Sequence, residues 1–244
     1  MSFSVARIRA VMHKEFREYR RNRFIVSTMV TLPLVFVVVP VADLFRHAAP
    51  ALQRAQVGVS LLVLLIVPVI VPAAIAAYSV VGERDQGTLE PLLTTPIRRE
   101  ELLLGKALAA VIPAVAIAYG VFAIVVTAVH IGASQVVVSA VWRAPNFLAQ
   151  ALFAPLLACW SIWVGIAISA RSSDVRVAQQ LGTLASLPPL GITALISFQV
   201  IEPSVTLAVV LAVVLGLLDV VGWRLAAAMF DRERLITGLK AQRD

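Results

Sequence analysis

Long apolar runs separated by short polar intervals organise this chain along its length. A helix needs about 20 mainly apolar residues to cross the hydrocarbon core of a bilayer. Six stretches meet that length: residues 24–42, 57–81, 102–129, 147–170, 177–198 and 205–229. Pro68 and Pro72 fall inside the second, Pro113 inside the third and Pro188 and Pro189 inside the fifth. They predict bent or locally broken helices, which membrane bundles tolerate where neighbours satisfy the freed carbonyls. The Pro188-Pro189 pair leaves open whether the fifth span is one helix or two. Ahead of the first span the period changes. Val5, Ile8, Val11, Met12, Phe16 and Tyr19 recur at three- and four-residue steps among Arg and Lys. This pattern predicts an amphipathic helix over residues 1–23, lying in the headgroup layer with its apolar face down. It serves as a topology anchor, with contact to a partner left open.

Composition agrees with this reading. The chain has 244 residues, 60% hydrophobic and 14% charged, with a mean hydropathy of +0.91. A soluble domain carries about 25% charged residues. The expectation is an all-α integral membrane protein, with residues 1–244 forming a single transmembrane domain. The lone Cys159 has no intramolecular disulfide partner and reads as a small buried hydrophobe. No cleavable signal peptide and no fixed-period repeat is read from the sequence.

The net charge of +7 gains meaning from its distribution. Of the 21 Lys and Arg residues, only Arg46, Arg54 and Arg143 fall in the intervals on one side of the six spans. The rest lie before the first span, between the second and third, between the fourth and fifth, or at the end of the last. Cytoplasmic segments retain Lys and Arg, so both termini are expected in the cytoplasm. Topology therefore accounts for the basic pI. No aromatic-interleaved basic pattern suggests nucleic acid.

The most structured polar interval is GERDQGTLEPLLTTPIRREELLLGKALA, residues 82–109. Thr88 suits an N-cap, and Leu89, Glu90 and Pro91 a first helical turn. Glu90 there favours the positive helix end. Leu92 and Leu93 give the helix an apolar side, and Pro96 ends it by Thr95. A new helix then rises through Arg98, Arg99, Glu100 and Glu101 into the third span. The result is a short cytoplasmic helix across the membrane plane, tied at both ends to spans and too short to stand alone. Glu83, Arg84, Asp85 and Glu90 would orient it by charge.

These residues carry a resemblance. Glu83, Gly87-Thr88, the Leu89–Leu93 turn, Pro96, Glu101 and Gly105-Lys106 resemble the loop of type-two permeases of ATP-binding-cassette (ABC) transporters. HKEFREYRRNR resembles that family's N-terminal helix, and MFDRERLITG, with Phe230, Asp231, Arg232, Glu233 and Arg234, its ending after the sixth span. One departure is Arg98, near a position where many members have a capping Ser. The resemblance implies six spans, an N-terminal interfacial helix, a coupling loop over residues 83–101 and a cytoplasmic tail over 230–244. It implies an exporter permease of a prokaryotic plasma membrane that dimerises with a second copy or a homologue. A cytoplasmic ABC ATPase would dock on Glu83, Arg84, Asp85, Gln86, Gly87, Thr88, Leu89, Glu90, Pro91, Leu92, Leu93, Thr94 and Thr95. ATP and Mg would be bound by that partner, with no cofactor, metal or catalytic residue in this chain. No G-x-x-x-x-G-K-[ST] phosphate loop occurs here, and Lys106 reads as a cation snorkelling at the membrane edge.

Other classes have thinner support. A secondary transporter would use an intramembrane ionisable group, and Asp219 is the candidate. The plainer expectation for Asp219 is an interhelical hydrogen bond or an ion pair near Arg224. His13, His47 and His130 read as interfacial. An enzyme would need convergent nucleophiles and bases, and neither H-E-x-x-H nor G-x-S-x-G occurs. Ser161, Ser169 and Ser186 read as helix-packing residues. A non-transporting scaffold would not need the coupling element. Phe122, Phe153, Trp160 and Trp163 are candidate walls of an apolar path suited to hydrophobic drugs, lipids or lipid-linked molecules.

Overall fold

The computed structural model describes residues 3–45, 50–85, 87, 97–198 and 200–229. Among them all regular structure is helical. Helix α1 (Val5–Arg21) is followed directly by α2 (Arg23–Leu44). Asn22 makes the corner. Its backbone N–H bonds back to Glu18 and Tyr19, and its side chain accepts from the N–H groups of Phe24 and Ile25. One amide thus closes one helix and caps the next, a role that short polar side chains fill well. Next comes α3 (Pro50–Ala77), which runs through one π-helical turn (Tyr78–Gly82) into Glu83–Asp85. The remaining helices are α4 (Arg99–Gly132), α5 (Gln135–Val141), α6 (Ala144–Ser169), α7 (Val175–Ser186), α8 (Pro188–Ser197) and α9 (Val205–Met229).

Five of these helices are long and apolar enough to cross a membrane: Arg23–Leu44, Ala55–Gly82, Arg99–Gly132, Ala144–Ser169 and Val205–Ala228. The stretch expected as a fifth span is two helices, of 12 and 10 residues, meeting at Leu187. Pro188 and Pro189 donate no backbone hydrogen bonds, and their rings crowd the preceding turn. Pro68, Pro72 and Pro113 by contrast lie within unbroken helices. Helix α5 lies where the sequence suggested only a loop. Ser134 caps it by accepting from the Val137 N–H, and the same hydroxyl donates to Gln53 at 3.0 Å. Its Val137, Ala140 and Val141 are buried with Leu44, Val57 and Val129.

Helix α3 is the central element. Val67, Val69, Val71, Ala73 and Ala76 are fully buried, with α2, α4, α6 and α7 packed around them. A continuous apolar run suits a helix covered on all sides. Helix α9 leans mainly on α6 and leaves Val209, Val213, Leu217 and Val221 exposed, a surface suited to lipid.

The π-helical turn of α3 shifts the backbone pairing, and the freed groups need partners. Ser169, at the end of α6, supplies them. Its hydroxyl donates to the Ala77 carbonyl at 2.9 Å and accepts from the Val80 and Val81 N–H groups at 3.3 and 3.2 Å. A serine read from sequence as ordinary packing is therefore the bridge that holds the last turn of α3.

Candidate functional site: an ion-pair clasp across the polar interval

Helix α1 turns Ile8, Val11, Glu15 and Tyr19 to one buried face. Their spacing of three and four residues is the one that marked the helix as amphipathic. The face is not laid down on lipid alone, as expected, but packs against the first turns of α4. Gly105 makes the approach possible: a Cβ there would lie 2.6 Å from the Val11 Cβ and 3.1 Å from the Ile8 carbonyl oxygen. Val5 stays largely exposed, while Met12 and Phe16 are partly buried against the core.

Next to Gly105, the Lys106 side chain enters the cluster below α1 and is only 1% exposed. Its ammonium lies 2.9 Å from Glu15 Oε1 and 2.8 Å from Glu83 Oε1. Lys14 reaches the same two carboxylates at 3.3 and 2.6 Å and Glu18 at 3.1 Å. Lys106 is thus no snorkelling cation but a buried member of a shared ion-pair cluster. Three carboxylates and two ammonium groups from α1, the end of α3 and the start of α4 meet there. The Glu15, Glu18 and Glu83 oxygens lie within 4.8 Å of one another, close enough to hold a metal ion. The two lysines already compensate the charge that would draw one.

A second contact lies further along α1. Glu101, fully buried, accepts from Arg7 Nε and Nη2, both at 2.7 Å, and from the Ser4 N–H at 2.7 Å. This two-pronged arginine grip fixes geometry as well as charge. Glu101 also accepts from the Arg98 N–H at 3.2 Å, so the carboxylate covers an open N–H at the head of α4 although no serine stands there.

The ionisation of α1 follows from this packing. Burial by itself would push the Glu15 carboxyl up, but Lys106 and then Lys14 outweigh it and hold the group below its ordinary range. Burial would lower Lys14, yet Glu15 and Glu83 hold its ammonium above the usual value. Burial, reinforced by the neighbouring Glu15, raises the Tyr19 hydroxyl well above its usual value. Glu15 and Lys14 are therefore both charged at neutral pH. Each buried ion costs several kcal/mol of desolvation, offset only by close, well-bonded partners.

The residues expected to bind an ATPase divide in two. Glu83 is locked in the cluster, and Arg84 donates to the Ser172 carbonyl beyond α6 at 3.2 Å. Asp85 closes the helical turn. Gly87 has φ of 68° and donates to the Arg84 carbonyl at 3.0 Å, a left-handed helix ending that suits glycine. Gln86 and the segment Thr88, Leu89, Glu90, Pro91, Leu92, Leu93, Thr94 and Thr95 lie outside the described residues, as do the tail residues Phe230–Arg234. The clasp therefore seizes both stems of the interval expected to carry the coupling helix. Within it, Arg7, Lys14 and Glu15 had no site role in the sequence reading, where Arg7 and Lys14 counted only as topology charges and Lys14-Glu15 only as part of HKEFREYRRNR. Glu15, a charged residue on the apolar stripe of α1, was the available signal.

Asp219 stands apart. It is 9% exposed on α9, and neither carboxylate oxygen has a hydrogen-bond partner among the described residues. The expected interhelical hydrogen bond or ion pair is not found among the described residues, and Arg224 is exposed on the same helix. Of the candidate wall aromatics, Trp163 packs edge-on against Trp223 with ring centroids 5.0 Å apart. Phe122 pairs with Phe147 at 6.0 Å. Phe153 and Trp160 line a groove described below.

A bundle of long apolar helices with charged groups gathered at one end defines a multi-pass membrane protein. Residues 9–198 match the family described as ABC-2 family transporter protein, and the chain belongs to that family. It is accordingly a transmembrane permease of the ABC-transporter class. The matched segment runs from α1 through α8 and stops short of α9. Among curated proteins, none matches the chain.

Proposed function

We propose that the chain is the membrane subunit of an ATP-driven exporter, forming the translocation path as a dimer and driven by a separate cytoplasmic ATPase. The observation that carries this reading is the cluster joining Lys14, Glu15, Glu83 and Lys106. A short helix between Glu83 and Lys106 would be tied through both stems to α1, α3 and α4 together. A push on it would reach three helices as one body, which suits a rigid-body switch. In this reading α1 and the polar interval face the cytoplasm of a prokaryotic plasma membrane. Helices α7 and α8 together make the fifth of six spans. ATP and Mg are bound by the ATPase.

Purification of the intact chain from its native membrane in mild detergent tests this. The expected companion is a stoichiometric soluble protein bearing a phosphate-binding loop. Leu92→Asp is expected to abolish nucleotide-driven transport while leaving the permease inserted. A chain that repeatedly purifies alone and shows no nucleotide-dependent activity overturns the proposal.

A second reading, secondary transport through Asp219, draws on that carboxylate's lack of a partner among the described residues. Transport driven by an ion gradient without nucleotide, and lost in Asp219→Asn, would favour it.

A further inference from the structure

Two cavities on one side of the bundle join end to end. The first, of about 80 Å³, lies at the end remote from α1, where Arg143, Asn146, Ser197 and Ser204 line it. The second, of about 220 Å³, continues toward mid-bundle between α6, α8 and α9, with walls that include Trp160, Pro189, Leu211 and Leu218. Phe153 and Thr193 line both, so the two form one groove. The Thr193 hydroxyl is spent on the Leu190 carbonyl, which leaves the junction apolar. Ile192, Val214 and Leu218 are exposed along the second part, so it opens sideways toward the surrounding bilayer.

The groove is polar and cationic at one end and apolar along the rest. Arg143 is exposed and makes no ion pair with any described residue. From Ser204 to Leu218 the groove follows α9 for about 21 Å, at 1.5 Å per helical residue. Half of a bilayer counted with its headgroups is of the same size, about 20–22 Å. We propose that this groove binds one anionic phospholipid from the leaflet remote from α1. Its phosphate lies against Arg143, and an acyl chain lies along Phe153, Trp160, Leu211 and Leu218. Charge sets the preference for the headgroup, and the length and apolar walls fit the chain. The break at Leu187 shapes the groove, because Pro188 and Pro189 form part of its wall.

The test uses delipidated, detergent-solubilised full chain titrated with phosphatidylglycerol or phosphatidylcholine carrying brominated acyl chains. Bromine quenches an indole only at contact. The quench lost in Trp160→Phe isolates the groove from the other tryptophans. Half-quenching is expected at about fivefold lower phosphatidylglycerol than phosphatidylcholine, the order contributed by one basic side chain near an anionic surface. Arg143→Gln is expected to erase that preference, and the Trp160-specific quench by phosphatidylcholine that remains reports a folded protein. Equal quenching by the two lipids, or a preference that survives Arg143→Gln, overturns the proposal. No Trp160-specific quench by either lipid also overturns it, since the groove is then covered, as a second copy of the chain would cover it.

Discussion

Glu15 and Asp219 are both carboxylates buried to more than nine-tenths, and their surroundings are opposite. Glu15 lies against Lys106 and Lys14, in a cluster whose charges come from three helices. Asp219 lies between α9 and α6 with no partner for either oxygen among the described residues. The first arrangement ties elements together, because moving any one helix leaves the others' charges buried and uncompensated. The second ties nothing, and its burial is a standing cost. A buried charge therefore marks structural linkage only when its partners come from other elements. When it has none, it marks a place where something else must act, or where the protein tolerates a penalty.

Lys106→Met is expected to have the largest effect. It leaves Glu15 and Glu83 buried with Lys14 as their remaining shared cation, and is expected to destabilise the protein by about 3–5 kcal/mol. Thermal unfolding in detergent measures it, and adding Glu15→Gln should restore part of the loss. A Lys106→Met protein as stable as the native one would show that the clasp does not hold these helices together.

Gly105→Val comes next. Its side chain collides with Val11 and the Ile8 carbonyl, and overpacking of this kind costs about 1–3 kcal/mol. Cysteines placed on α1 and α4 should lose their native cross-linking in that variant while insertion persists. Unchanged cross-linking would mean that α1 can shift without loss.

On the other side of the comparison, Asp219→Leu is expected to be neutral or stabilising, by up to about 2 kcal/mol, since it removes a buried group that lacks a bond. A clear destabilisation would show that Asp219 has a partner from outside the described chain.

The smallest effect is the response of the clasp to pH. The folded Glu15 carboxyl is held below its unfolded value, so its contribution is present above about pH 4.3 and lost as pH falls through the folded value. The Lys14 ammonium is held above its unfolded value. Its contribution is present below about pH 10.4 and lost only as pH rises through the higher folded value. Hydrogen exchange of α1, corrected for its intrinsic pH dependence and measured in a His13→Gln background, should therefore be flat between about pH 5 and 9. A transition inside that window would contradict the pairing.

Much of the fold was legible because lipid leaves few choices. Apolar length alone located five long helices within a few residues, and the three-and-four spacing of Ile8, Val11, Met12, Phe16 and Tyr19 located α1. Helix α5 was missed, although Val137, Ala140 and Val141 carry a short version of the same spacing, because seven residues fall below the length that marks a helix by pattern. The clasp was legible only in part. Glu83, Glu101, Gly105 and Lys106 stood out as a motif, but their partners on α1 lie roughly 70 to 100 positions away in the chain. No local pattern reports which distant cation meets which carboxylate.

The solvent, the helical class and the asymmetry of charge between the two sides of the spans can be read from the chain alone. These follow from composition and period, which act locally and additively. The packing of separate helices is what buries and pairs Lys106, sets Ser169 against the π-helical turn, makes Leu187 the joint between two helices, and leaves Asp219 without a partner among the described residues. Each depends on which groups from separate helices come within about 3 Å, and at that range a shift of one ångström makes or removes a hydrogen bond.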